Sequence, residues 1–294
     1  MFLPVKIYLN GRIVDERDAH ISVFDRGFLF GDGVYELVRY FDGFGVGEDA
    51  HARRLARSLE LAKIRGFDAL QLSAIARSTI AANDLTDAIV YLQVTRGAGT
   101  MRSHVPNEPL TPTVVAIATP GEPLASLAAP SQISAVIAED LRWKLCEIKT
   151  ISLMGNILHL LEADAHGANE AILHRDGFVG EGAYSNIAFV SGGTLVTTPI
   201  TEDPPILHGT ARADLLAAAR HLGLPIEVRR VRVDELTRAD ELMITSSRRF
   251  VSAVVRLDGR SIGTGQTGPL TRKLFEVMRD TIARDMQLAT TSSR

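Results

Sequence analysis

Few side chains in this sequence can serve as an amine nucleophile. Its cations are almost all arginine, and the only lysines are Lys6, Lys63, Lys144, Lys149 and Lys273. A guanidinium keeps its proton, whereas an ammonium in a desolvated setting gives it up and attacks carbonyls. Lys149 has the most distinctive setting of the five. It closes a strand-like run in which Trp143, Leu145 and Ile148 alternate with polar residues, and it precedes a helical repeat of Ile151, Met154, Leu158, Leu161 and Ala165. Ordered structure on both sides is the rigid mounting that a catalytic group needs. On position alone, a solvated surface charge is the commoner reading of such a lysine.

Other residues offer charges that an amine chemistry could use. Glu181 is bracketed by Gly180 and Gly182 in an otherwise apolar strand, so its carboxylate either faces solvent at a bulge or answers a specific cation. Arg102 and His104 flank Ser103 in a polar, glycine-rich loop. In an extended segment both project from one side and suit a carboxylate, although a plain solvent-exposed loop fits the same residues. Arg54 lies at the apolar edge of a helix whose first turns are basic, with His51, Arg53 and Arg57, and a solvated face is the usual meaning of such a run. Gly209 and Thr210 open a further helix, with Thr210 as the expected N-cap, and a small-residue helix N-terminus attracts anions. Ser246, Ser247, Arg248 and Arg249 end a strand with hydroxyls and guanidiniums, which again suit an anion.

The elements that must position these groups are readable in outline. Asn10-Gly11 between alternating runs marks a hairpin at the start of the chain, Asp42-Gly43 a second, Gly192-Gly193 a third and Asp258-Gly259 a fourth. Helical periodicity covers 48–65, 70–82, 151–166, 206–222 and 269–286, and strands are expected over 34–40, 88–95, 112–118, 132–138, 170–174 and 241–249. The stretch 178–186 reads as an interrupted strand. Residues 25–36, with three glycines among aromatics, read as a tight loop that approaches a ligand, a partner subunit or a core edge. Three prolines between 119 and 130 mark a boundary, giving domains 1–120 and 132–294 around a linker, 121–131.

Composition limits the functional classes. A net charge of −3 gives no electrostatic reason to expect nucleic acid or an anionic membrane as partner. A single cysteine, Cys146, forms no internal disulfide, which points to a reducing cytoplasm, and its apolar setting reads as a core thiol. The opening residues 1–6 run into a strand pattern rather than a signal peptide. The sequence carries no P-loop, dinucleotide fingerprint or metal-ligand cluster, and no metal is expected.

In order along nearly the whole chain, several motifs resemble the class IV, or fold-type IV, aminotransferases that use pyridoxal 5′-phosphate. They are Asp25-Arg26-Gly27 with Phe30-Gly31-Asp32-Gly33-Val34-Tyr35-Glu36, His51 with Arg54-Leu55, Lys149, Glu181-Gly182 with Ser185-Asn186, and Gly209 with Arg212. Tyr35 with Arg102-Ser103-His104, and the strings 139–143 and 170–175, are most like the D-amino-acid branch of that family. The resemblance implies a two-domain α/β (α+β) fold with a smaller N-terminal α/β domain and a larger, β-barrel-like C-terminal domain with helices. It implies Lys149 as the amine joined to the cofactor aldehyde, Glu181 as partner of the pyridinium nitrogen, and Arg54 as a phosphate ligand. Leu207 would pack on the ring. Gly209, Thr210, Ala211, Ser246 and Ser247 would form the phosphate cup, with Ser185 and Asn186 also at the cofactor. Tyr35, Arg102 and His104 would bind the substrate carboxylate, the latter two from the neighbouring subunit of a homodimer.

The implied activity is a ping-pong transamination from a D-amino acid to a 2-keto acid, either 2-oxoglutarate or pyruvate. A transaminase of (R)-amines or branched-chain L-amino acids, or an aminodeoxychorismate lyase, would share the cofactor residues, but Arg102 and His104 favour the D-amino acid. Five residues at three places depart from the family pattern. Ala211 stands where a hydroxyl is usual, at a cost on the order of 1 kcal/mol in phosphate binding. Arg248 and Arg249 replace small hydroxyl residues, and Arg248 reaching the substrate would favour a second carboxylate, as in D-glutamate or D-aspartate. Ala183-Tyr184 replaces smaller polar residues and would narrow the site.

Overall fold

The computed structural model describes residues 5–201 and 203–292, so residues 1–4 of the expected opening run lie outside it. By internal contacts the chain divides into two compact units, one of 1–126 with 148–153 and one of 127–147 with 154–294.

In the first unit six strands form one antiparallel sheet. They are β1 (Lys6–Leu9), β2 (Arg12–Asp15), β3 (Gly33–Phe41), β4 (Phe44–Gly45), β5 (Ala88–Thr95) and β6 (Thr113–Pro120), in the order β2-β1-β6-β5-β3-β4. The first two hairpins turn where expected, because Asn10-Gly11 and Asp42-Gly43 all adopt positive φ, the conformation that a two-residue turn between twisted strands requires. Helices α2 (Glu48–Leu61) and α3 (Leu72–Ala82) cover one face and bury Leu55, Leu59, Ile75 and Ile80 against Val34, Val38, Val90 and Ala116. β5 alternates between buried and half-buried residues, so one face of it is covered fully, not both as its apolar run suggests. The glycine-punctuated stretch 25–36 holds a short helix, α1 (Arg26–Phe30), capped by the Asp25 carboxylate, which accepts from Gly27 N at 2.8 Å.

The second unit is built on a curled, half-barrel sheet of mixed direction. Its strands are β7 (Ser131–Glu139), β8 (Glu170–Arg175), β9 (Phe178–Gly182), β10 (Asn186–Ser191), β11 (Thr194–Thr197), β12 (Ile226–Val228), β13 (Glu241–Ser246), β14 (Phe250–Leu257) and β15 (Arg260–Ser261). The order is β12-β11-β10-β13-β14-β7-β8-β9, with β15 paired to β14. Ile133, Ile187, Phe189, Val196, Leu242, Ile244 and Val254 fill its core. Around it lie α4 (Met154–Ala165), α5 (Thr210–His221), α6 (Val233–Leu236) and α7 (Pro269–Ser292).

Two expectations change here. Residues 140–149 form no strand, since the charges of Asp140 and Arg142 are buried against each other and hold the backbone in an irregular path. The segment 148–153, which the sequence assigns to the second domain, is built into the first unit. Tyr35 N donates to Lys149 O at 2.9 Å, Ile151 N donates to Gly33 O at 3.1 Å, and Val34 pairs with Thr150.

Candidate active site

Strand alternation decides what β3 offers to each side. Glu36 shares the inward face with Val34 and Val38 and is wholly buried, while Tyr35 points the other way. On α2 the buried positions His51, Arg54, Leu55 and Ser58 recur at helical spacing, and Arg53 and Arg57 are exposed. The basic run therefore divides. Arg54 donates to Glu36 through Nε at 2.8 Å and Nη2 at 2.7 Å, and His51 Nδ1 lies 2.7 Å from the same carboxylate. Burial works to raise the Glu36 pKa, but Arg54 and then His51 bring it down to about 2. His51 is shifted down by burial, against the pull of Glu36, so its ring is neutral at neutral pH and Nδ1 carries the proton donated to the carboxylate.

One turn further along the same helix face, Ser58 Oγ accepts from Lys149 N at 3.1 Å. That bond and the bond from Tyr35 N fix the Lys149 backbone between α2 and β3. Its Nζ stands 4.2 Å from the centroid of the Tyr35 ring, which also packs on Tyr91 with centroids 5.4 Å apart. Two residues expected to face one substrate, Lys149 and Tyr35, are thus adjacent.

Arg102 and His104 sit elsewhere in this unit. Both gather on Phe30 of α1, with Arg102 Cζ 4.9 Å from the ring centroid and the His104 ring 5.5 Å away. Among the described contacts, neither touches Tyr35 or Lys149.

In the second unit Glu181 is buried at the end of β9, and its oxygens are held by three donors. Arg142 Nη1 reaches Oε1 at 3.0 Å, while Asn186 Nδ2 at 3.1 Å and Leu207 N at 2.9 Å reach Oε2. Burial raises the Glu181 pKa, opposed chiefly by Arg142. Arg142 is shared with Asp140, which accepts from its Nε at 2.9 Å and is paired also with Arg175 at 3.0 Å. A carboxylate has about four acceptor sites. Three donors leave room for one more, in a residue whose basicity burial has raised. That donor set fits a protonated ring nitrogen, as the pyridinium of pyridoxal phosphate would present.

Asn186 also donates to Leu207 O at 3.1 Å, so Glu181, Asn186 and Leu207 form one cluster, with Leu207 entering it through its backbone. Ser185 turns away and donates its hydroxyl to Glu170 at 2.6 Å. Glu170 is fully buried and also accepts from Ala171 N at 2.9 Å and Ala183 N at 3.0 Å. Burial pushes its pKa up to about 7, against the hydrogen bond from Ser185.

The N-cap of α5 is Gly209 rather than Thr210, and no side chain caps it. A Cβ on Gly209 would come within 1.8 Å of Asn186 Oδ1, so only glycine lets the helix start so close to the Glu181 cluster. The Thr210 hydroxyl lies 3.3 Å from that of Ser247, and Ala211 is buried. Backbone N–H groups at a helix start with two neighbouring hydroxyls fit a phosphate group. Arg212 is spent on the scaffold, donating to Thr198 O at 2.8 Å. Ser246 ends β13, and Arg248 and Arg249 lie on the exposed turn that follows, where their charges act on the half-buried Tyr184.

Glu36, Glu170 and Arg142 escape a reading for site residues. Glu36 is hidden in an aromatic strand. Glu170 opens a run that reads simply as strand. Arg142 is signalled only by the closely spaced opposite charges Asp140 and Arg142.

Residues 33–257 match the family model for class IV amino-transferases. The D-alanine aminotransferase of Bacillus licheniformis is 36% identical over 279 residues, covering 95% of this chain and 97% of that protein. The D-alanine aminotransferase of Staphylococcus haemolyticus is 33% identical, covering 92% and 95%. Among solved structures, the branched-chain aminotransferase of the archaeon Thermoproteus uzoniensis superposes with a TM-score of 0.85 at 27% identity, covering 95% of each chain.

Proposed function

The chain belongs to the class IV aminotransferases, enzymes dependent on pyridoxal 5′-phosphate, and from that premise we propose that it transfers the amino group of a D-amino acid to 2-oxoglutarate or pyruvate. The gathering of Arg102 and His104 on Phe30, which presents a guanidinium and an imidazole together, is the observation that favours an amino acid over a simple amine, and the D configuration is taken from the activity named for the relatives. Paired donors of this kind suit the α-carboxylate that every amino acid has and a simple amine lacks. The activity named for the curated relatives from Bacillus and Staphylococcus supports the same choice.

Bound to the chain, pyridoxal phosphate supplies an aldehyde that takes up amino groups and a ring that accepts electrons from the substrate α-carbon. Lys149 would hold the cofactor through its amine, and that amine would carry the proton to and from the substrate α-carbon. Glu181 would face the ring nitrogen and hold a proton there, a task its raised basicity suits. The N-terminus of α5 with Thr210, Ala211, Ser246 and Ser247 binds the phosphate, Asn186 and the Leu207 backbone hold Glu181 in place, and Ser185 steadies the turn between β9 and β10. Arg54 serves the phosphate from a position fixed by Glu36. Tyr35 borders the substrate beside Lys149, while Arg102 and His104 bind its carboxylate from a second copy of the chain. A homodimer is supported by the exposed apolar side chains around that segment, among them Phe24, Phe28, Met101 and Val105. Arg248 lies on an exposed turn and favours substrates with a second carboxylate. No described helix is long and apolar enough to cross a membrane. The cytoplasm is the compartment that the single unpaired, buried Cys146 supports.

Turnover of D- and L-amino acids and (R)-amines with 2-oxoglutarate and with pyruvate tests the reading. D-alanine, D-aspartate and D-glutamate are expected to lead. Faster turnover of L-valine or L-leucine would overturn it in favour of a branched-chain enzyme. Lys149→Ala is expected to abolish transamination, and near-normal activity in that variant would remove Lys149 from its role.

A further inference from the structure

The segment that carries Arg102 and His104 is irregular and largely exposed, yet its backbone is held from below by one buried side chain. Arg26, in the first turn of α1, is 8% exposed and uses all three of its nitrogens. Nη1 donates to Ser103 O, Nη2 donates to His104 O at 2.9 Å, and Nε donates to Asp32 Oδ2 at 2.8 Å. Asp32 is held in turn by Arg96, through Nε and Nη2 at 2.8 and 2.9 Å. Arg96 also donates to the carbonyls of Ala62 and Lys63, just past the end of α2, at 2.7 and 2.6 Å. Burial works to raise the Asp32 pKa, but the two arginines bring it below the ordinary carboxylate value, so the bridge stays charged.

The backbone beneath is paired as well. Arg26 N donates to Gly97 O at 3.0 Å, Asp25 bridges Ala98, and the buried Asp25 carboxylate accepts from Thr95 Oγ1 at 3.0 Å. The Arg26 guanidinium lies 5.0 Å from the centroid of Phe30, the ring on which Arg102 and His104 rest.

We propose that Arg26 is the positioning residue of the carboxylate-recognising segment, fixing the Ser103 and His104 carbonyls so that Arg102 and His104 are set before substrate arrives. The proposal rests on the reading of Arg102 and His104 given above. An irregular loop entered through Gly99 is otherwise able to sample many conformations, and ordering it during binding weakens affinity. Only a planar guanidinium can hold two successive carbonyls and a carboxylate at once. A lysine keeps the charge but has a single nitrogen on a flexible stem.

The test compares Arg26→Lys with the wild-type holoenzyme, and Arg102→Ala is measured beside it. In Arg26→Lys, backbone amide hydrogen exchange over residues 99–106 is expected to speed up about tenfold, and KM for D-alanine to rise about tenfold while kcat stays within about threefold. A merely structural role would lower kcat and thermal stability without separating KM from kcat. Exchange at the wild-type rate, or a fall in kcat with KM unchanged, overturns the proposal. If Arg102→Ala raises KM and Arg26→Lys does not, the positioning role alone falls. If Arg102→Ala itself leaves KM for D-alanine unchanged, the recognition reading fails and the specificity role of Arg26 with it, while the exchange rates still report whether the clamp holds the loop. Should Arg26→Lys not fold, Asp32→Asn, which weakens the bond to Nε and keeps the side-chain volume, is read by the same two measurements.

Discussion

Glu36 and Glu170 are the same residue type, each wholly buried at a sheet strand, and their chemistry is opposite. Glu36 faces Arg54 and His51 and is ionised down to a pKa of about 2. Glu170 receives neutral donors, the hydroxyl of Ser185 and the backbone of Ala171, Ala183 and Tyr184, and its pKa rises to about 7. Burial is the largest influence on both, and it acts in the same direction. A cation within hydrogen-bonding distance reverses it, and neutral hydrogen bonds only moderate it. Glu181 lies between the two cases, with one cation that it shares with Asp140, and burial still prevails. In the function proposed above, that intermediate arrangement suits a carboxylate that would share a proton with a ring nitrogen.

The largest effect that would test this contrast comes from stripping Glu36 of its cation. Arg54→Met leaves the buried carboxylate with His51 as its remaining side-chain partner, and urea unfolding of the apoenzyme at pH 7 is expected to show a loss of about 3 kcal/mol. Adding Glu36→Gln should restore much of it. If the double variant is no more stable than Arg54→Met, the pair is not coupled in the way its geometry indicates. In the wild type, the Glu36 contribution is complete above its unfolded pKa of 4.5 and is lost as pH falls through about 2.

Glu170 has the reverse pH dependence. Between pH 4.5 and about 7 the folded chain holds a proton that the unfolded chain has released, so stability falls as pH rises through that window and is level above it. Glu170→Gln removes the titration. Its stability at pH 8, relative to wild type, is expected to exceed the difference seen at pH 4 by roughly 3 kcal/mol. Equal differences at the two pH values would show that Glu170 ionises normally in the fold.

A smaller effect sharpens the same comparison. Ser185→Ala removes one neutral donor from Glu170, with an expected cost of about 1 kcal/mol at pH 8 and a further upward displacement of the Glu170 titration. An unmoved midpoint, followed by carbon-13 NMR of labelled glutamate carboxyls, would mean that the hydroxyl does not tune this carboxyl.

Much of this molecule is legible from residue order alone, where the signal is local. Asn10-Gly11 and Asp42-Gly43 turn as their left-handed preference requires, and the helices begin and end within a few residues of their apolar periodicity. Lys149, Glu181 and the start of α5 stand out as candidates because each combines an amine, a carboxylate or a helix N-terminus with glycine or a change of period, whereas Asn186 enters only through the family resemblance. What stays hidden depends on pairing at long range. Glu36 meets Arg54 across 18 residues, Arg26 meets His104 across 78, and Arg142 meets Glu181 across 39. Nothing near any of these residues announces its partner. The basic run on α2 is instructive because only the inward positions, His51 and Arg54, carry a specific contact, and composition alone cannot separate them from Arg53 and Arg57. The break at 140–147 has the same origin, since buried charges at Asp140 and Arg142 override a pattern that alternates like a strand.

Lys149, the proposed reactive amine, also arrives late in the making of its own scaffold. The first unit is formed by residues 1–126 and then again by 148–153, and the bonds from Tyr35 N to Lys149 O and from Ile151 N to Gly33 O close a loop of more than a hundred residues. On a ribosome, the six-stranded sheet with its two helices is complete in sequence well before Lys149 has been polymerised. The nascent sheet must therefore wait with the strand edge at Gly33 and Tyr35 open. Lys149 is added only after the first strand of the second unit, β7, has been translated, so an amino-terminal fragment ending at the proline-rich boundary would hold the strands that bind this segment without Lys149 itself.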